Sequence, residues 1–207
     1  MQVIGRIIEV VSGEPYDAYM QRRIFAPLGM TRTTFRLTPE LHARLATTYT
    51  FNQDKTALIP TRNQYIRCEP GVEQTPMPSG GLFSCARDVY RFYSCILSGG
   101  ERDGVRIVSA SAVKQMTTPQ TGDLQAGFVP GSAWGLGWCV VTEPQGVTEA
   151  LSAGSYGHGG AYGTQVWVDP HRNLVTVLLI QRRDIGNSDG SELRKALHSA
   201  VAEALAR

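Results

Sequence analysis

The hydrophobic period of this chain changes once, near residue 133, and that change limits the folds open to it. Before it, apolar residues recur at helical spacing. "VIGRIIEVVSG" sets Ile4, Ile7, Ile8 and Val11 at i, i+3, i+4 and i+7, and then meets Gly13, a residue suited to the left-handed turn that ends a helix. Pro15 opens a second helix at its first turn, with Tyr16, Tyr19 and Met20 on one side. A third lies in "SGGLFSCARDVYRFYSCILSGG", with Ser84 as N-cap, Val89, Phe92, Tyr93 and Ile96 on one face, and Gly99-Gly100 as its stop. Ser109 caps a short fourth helix that Pro119 terminates.

After the change, residues alternate. "AWGLGWCVV" sets Trp134, Leu136, Trp138 and Val140 against small residues and reads as one half-buried strand. "YGTQVWV" and "LVTVLLI" are two more, joined by the turn residues "DPHRN". Their connections are too short for parallel crossovers, so the sheet is antiparallel. The last helix, 190–206, aligns Leu193, Leu197, Ala200, Val201 and Leu205 toward one sheet face.

Helices, then sheet, then helix define an α+β arrangement: one partial domain over 1–207, mostly helical and looped over 1–132, with antiparallel strands and the C-terminal helix over 133–207. A three-stranded sheet closed by one helix leaves an edge and a face uncovered. The sheet is therefore expected to be incomplete and open to self-association. Residues 36–80 hold Pro39, Pro60, Pro70, Pro76 and Pro78 and no sustained period; they read as a long irregular excursion with short helical turns, bordering a functional cleft.

Charge and composition exclude some functions. A net charge of +2 without any run of Lys or Arg argues against nucleic acid. The longest apolar run, "LVTVLLI", has strand length, so no membrane span is expected. Nor is a signal peptide, because the first ten residues already read as a helix within a fold. Cys68, Cys85, Cys95 and Cys139 show no metal spacing and read as buried free thiols.

A serine hydrolase needs an activated hydroxyl, a base to take its proton, and donors aimed at the developing oxyanion. Ser111-Ala112-Val113-Lys114 has Ser-x-x-Lys spacing, but Ser109 and Ser111 both read as capping residues, and little around Lys114 promises the burial a lysine base needs. Ser155, in "AGSYG" with Asp169 and His171 after it, loosely matches a nucleophile elbow. A strand follows this serine where the elbow needs a helix, so a Gly/Ser turn is expected. His158 finds no i, i+4 partner among His42, His171 and His198, which argues against a metal, and nothing in the chain calls for a cofactor. Two readings of His158 stay open. It is a surface turn residue, or it belongs to a site where Gly157, Gly159 and Gly160 expose N–H and C=O groups along an edge strand, able to bind an extended substrate and point an N–H at its carbonyl.

"GRIIEVVSGEPYDAYMQRRIFAPLGMTRTTF", "PSGGLFSCARDVYRFYSCILSGG", "WGLGW" and "GHGGAYGTQVWVDP", in that order, resemble the serine beta-lactamase-related family: class C beta-lactamases, DD-peptidases and the esterases that share their fold. The resemblance implies the C-terminal part of the beta-lactamase/transpeptidase-like fold, with small-molecule ester or amide substrates cleaved through an acyl-enzyme. It also implies that His158-Gly159-Gly160 stands in the place of the Lys-Thr-Gly motif, on the strand edging the cleft, with the Ala161 N–H as one oxyanion donor. Histidine in place of lysine is more similar to the esterase branches than to true beta-lactamases. The family's Ser-x-x-Lys and Tyr-x-Asn motifs are absent from this chain and are expected upstream of Met1, Tyr-x-Asn by only a few residues. The chain alone is then expected to be inactive; a non-catalytic peptide- or glycan-binding module, or a self-associating one, is the alternative.

Overall fold

Gly13 ends the first helix as its sequence predicts: at φ 72° its N–H donates to the Glu9 carbonyl at 2.9 Å. The computed structural model describes residues 1–63, 75–122, 124, 129–185 and 188–207, so Cys68 and Pro70 lie outside the described residues. The chain divides into two units, Met1–Phe92 and Tyr93–Arg207.

In the first unit, α1 (Gln2–Ser12) is followed by α2 (Tyr16–Met20) behind Pro15, and α2 runs on through one π-helical turn, Gln21–Phe25. Phe25, Leu28, Met30, Phe35 and Leu37 form its core, with the Phe25 and Phe35 rings 6.3 Å apart. A short α3 (Pro39–His42) starts behind Thr38, whose Oγ1 accepts the Leu41 N–H.

The excursion over 36–80 holds more than helical turns. β1 (Thr48–Phe51) and β2 (Leu58–Thr61) form an antiparallel hairpin, closed by the Asn52 Oδ1, which accepts the N–H groups of Thr56 and Ala57 at 2.9 and 3.1 Å. Its residues are mostly solvent-facing, so no alternation marks them, and Pro60 is tolerated because β2 pairs on one side only among the described residues. α4 (Ala86–Leu97) starts two residues after Ser84. The Val89 N–H goes to the Cys85 carbonyl, and the Ser84 hydroxyl lies 2.8 Å from Thr33 Oγ1 instead of standing at the cap position. Buried Asp88 ties that turn down by accepting from Arg32 N–H and Thr33 Oγ1.

In the second unit, the short hairpin β3 (Glu101–Arg102) and β4 (Val105–Arg106) precedes α5 (Ala110–Met116), capped by Ser109 as expected. The antiparallel sheet has five strands where three were expected: β5 (Ser132–Trp134), β6 (Cys139–Val141), β7 (Tyr156–Gly159), β8 (Gln165–Asp169) and β9 (Leu174–Leu178), adjacent in chain order. "AWGLGWCVV" is two strands because its glycines turn the chain: Gly135 N–H donates to the Trp138 carbonyl at 2.8 Å, and Gly137 holds φ 87°. The sheet is antiparallel, as short connections require, and β9 has no neighbour on its outer edge among the described residues. Cys139, Val141, Leu151 and Trp167 make its core.

α6 (Glu192–Leu205) presents a different face from the expected one. Leu193 is 45% exposed and Leu205 57%, whereas Arg194 and His198 are buried. Trp167 decides this: the Arg194 guanidinium lies 3.8 Å from the ring centroid, and the His198 ring meets it edge-on at 6.2 Å. Cys95 and Cys139 are buried free thiols, and Cys85 is partly buried. Among the described residues no helix is long and apolar enough to cross a membrane.

Candidate functional site

β7 carries the glycine-flanked histidine, and its two ends have different surroundings. Tyr156 and Gly157 pair with Val140 and Cys139 of β6, but β6 turns away at Trp138, so from His158 onward β8 is the strand that β7 pairs with among the described residues. β7 is thus the middle strand of the five and an edge only in its last two residues, a correction to the expected edge strand.

The base of the site is built on packed aromatic rings. Tyr156 packs on Trp138 at 5.6 Å between ring centroids, and Trp138 on Tyr93 at 5.1 Å. Burial pushes the Tyr156 hydroxyl up to about 12, so near neutral pH it is a protonated phenol and not a base. A Cβ on Gly157 would lie 2.2 Å from the Val166 carbonyl oxygen and 2.7 Å from the Trp167 ring, so glycine is what lets β7 lie flat on Trp167.

The half-buried His158 stacks against Trp134, with centroids 5.1 Å apart, and its Nδ1 contacts the Gly159 carbonyl oxygen. The acceptor is a carbonyl, so Nδ1 carries the proton in that contact. Past it, the Gly160 N–H donates to the Thr164 carbonyl at 2.7 Å and the Gly163 N–H returns to Gly160 at 2.9 Å, forming a tight turn. Ala161 is the exposed first residue of that turn, and among the described residues its N–H has no hydrogen-bond partner. The predicted quartet His158, Gly159, Gly160 and Ala161 is thus contiguous, with its last N–H open.

The two serine constellations set aside on sequence grounds are not assembled. Ser111 and Lys114 are both exposed on α5, and the Ser111 hydroxyl contacts Ser109 Oγ. Ser155 is fully buried, its hydroxyl without a hydrogen-bond partner among the described residues, while the Asp169 carboxylate is taken by Ser152 and by the N–H groups of His171 and Arg172. Sequence reasoning missed three groups around β7: Trp134 as the platform of His158, and Asp189 and Arg194. Asp189 is buried in the 3-10 turn Ser188–Gly190, against the motif. An arginine at the third helical position after the Ser191 cap was the available signal.

A five-stranded antiparallel sheet with a C-terminal helix on it, and a His-Gly-Gly strand ending in a tight turn, is the architecture expected of the C-terminal part of the beta-lactamase/transpeptidase-like fold. Residues 1–201 match the Beta-lactamase family, and the chain belongs to it. An uncharacterized protein of Mycobacterium tuberculosis is 32% identical over 197 residues, matching 87% of this chain and 47% of its own length. A putative D-alanyl-D-alanine carboxypeptidase of Escherichia coli is 29% identical, matching 86% of this chain and 42% of its own length. The chain therefore spans about half the length of these relatives. Among solved structures, a mutant simvastatin synthase of Aspergillus terreus superposes with a TM-score of 0.75 at 23% identity, over 96% of this chain and 53% of that one. EstCE1, a hydrolase with promiscuous acyltransferase activity, gives 0.75 at 22% identity, over 97% and 53%. These likenesses fix the fold.

Proposed function

We propose that residues 158–161 form the strand wall and one oxyanion donor of a serine hydrolase that cleaves small ester or amide substrates through an acyl-enzyme, and that the acylated serine is not supplied by this chain. The observation that carries the reading is the unpartnered Ala161 N–H, held just beyond the last ladder bond of β7. A carbonyl oxygen placed there meets a backbone dipole fixed before reaction by the 160–164 turn. Replacement of the motif lysine by His158 favours esters over amides ending in a free carboxylate, since a lysine would be the natural anchor for that charge. Two findings support the missing nucleophile: among the described residues the Ser111 hydroxyl hydrogen-bonds to Ser109 Oγ and to no base, and the Ser155 hydroxyl is sealed in the core.

Two measurements on the purified chain test this. A fluorophosphonate probe is expected to leave every serine unlabelled over hours. Titration of a short acyl ester, followed at backbone amides, is expected to perturb residues 158–161 first. A covalently labelled serine, or ester binding centred elsewhere, overturns the reading.

A further inference from the structure

The sequence predicts an open run of backbone donors and acceptors along Gly157, Gly159 and Gly160, and most of that run is already filled. Gly157 pairs with Cys139 of β6, and the Gly160 N–H is taken by Thr164. By strand alternation, the groups of Gly159 point to the side where β6 has ended. There His158 Nδ1 contacts the Gly159 carbonyl. The Gly159 N–H in turn donates to the carboxylate of Asp189.

Asp189 does not reach that position unaided. It is only 4% exposed, and a buried carboxylate persists when it is paired and hydrogen-bonded. Arg194, itself fully buried, donates from Nη1 to the Asp189 carbonyl at 2.6 Å and places the same nitrogen 3.8 Å from the carboxylate. Its guanidinium rests on Trp167, and Trp167 is the residue of β8 paired with Gly157. A continuous set of contacts thus runs from Trp167 through Arg194 and Asp189 to the backbone of the motif.

We propose that Asp189 is a positioning residue of this site: together with His158 it closes the backbone groups of Gly159, so that Ala161 offers the first open donor and sets the register of an extended substrate, and Arg194 holds the Asp189 carboxylate in place. This rests on the reading of residues 158–161 as the substrate-facing strand. A substrate strand laid along β7 finds no donor at Gly159 and is displaced toward the turn.

Amide spectra of the full chain test it without substrate or activity, and so separately from the labelling experiment that tests the reading itself. In Asp189→Ala, hydrogen exchange at Gly159 is expected to quicken about tenfold or more, the scale of one hydrogen bond to a charged group. Its amide proton moves upfield, while Gly157 on the same strand keeps its protection. Asp189→Asn retains an acceptor of the same shape, and is expected to restore part of the protection with a smaller shift. An unchanged Gly159 amide in a folded Asp189→Ala overturns the proposal. So does protection lost evenly along β7, which would mark Asp189 as merely structural. Should the alanine variant fail to fold, the asparagine variant decides alone: a Gly159 amide at the wild-type position rejects the carboxylate as its acceptor.

Discussion

Gly157 shows how a single hydrogen in place of a methyl sets the geometry of the site. A Cβ there meets backbone on one side and an indole on the other, at 2.2 and 2.7 Å, and neither neighbour is the free end of a flexible side chain. The Val166 carbonyl is fixed in the β7–β8 ladder, and Trp167 is clamped between the strand and Arg194. Relief has to come from the strand itself. Gly157→Ala is therefore expected to cost about 1–3 kcal/mol of stability, read from the midpoint of urea unfolding at unchanged slope. Ala161→Ser, on the exposed turn four residues on, is expected to change stability by less than about 0.5 kcal/mol. The two substitutions separate the position that packing constrains from the exposed one that it does not.

At the scale of elements, α6 carries a pH dependence in its buried face. Burial first, and the Arg194 cation second, push His198 from its ordinary 6.5 down to about 4. Between those values the unfolded chain binds a proton that the folded chain refuses, so this contribution is full above pH 6.5 and is lost as pH falls toward 4. The loss from pH 7 to pH 5 is expected to be about 2 kcal/mol. Asp189 slopes the other way, because burial raises its pKa, and its contribution fades as pH rises through its own window above 3.8. His198→Phe keeps a ring against Trp167 and removes the first effect. Urea unfolding of both proteins at pH 7 and pH 5 should show the variant losing the His198 share of the slope; parallel losses would refute the assignment. This face was also the least legible part of the sequence. Caps and stops such as Gly13 and Ser109 could be read directly, because they depend on neighbours within four residues. Arg194 and His198, at i and i+4, are no part of the apolar row that the sequence aligns toward the sheet; only Trp167, some thirty residues earlier, supplies an aromatic surface for both. Gly135 and Gly137 fit the small face of a strand as well as a turn, so it takes the Gly135–Trp138 bond and the positive φ of Gly137 to separate β5 from β6. The strand at 157–160 stands out in the sequence through its glycines, whereas the contact of Asp189 with it does not, since that depends on where a distant turn lands.

For the whole molecule, the surfaces that stay open matter most. In the first unit, α1 leaves Val3, Ile4, Ile7, Val10 and Val11 between 52% and 81% exposed, a contiguous apolar face of a kind that soluble monomers seldom leave bare. In the second, the outer edge of β9 has no strand beside it among the described residues, and Leu179 just after it is 41% exposed. The two surfaces fail differently in water. An apolar helix face gains by burial against another such face, at about 25 cal/mol per Å² removed from water, while a bare edge gains by adding ladder bonds in any register its side chains accept. If the helix face dominates, the purified chain self-associates reversibly and Ile4→Lys with Ile7→Lys returns it to a monomer, because two charges cannot be buried there unpaired. If the edge dominates, the double variant still associates, and Val175→Pro or Val177→Pro on β9, by removing an N–H from the ladder, is the change that dissolves it. The larger exposed apolar area lies on α1, so sedimentation velocity across a hundredfold range of concentration is expected to show association in the parent chain and a concentration-independent monomer in the lysine double variant.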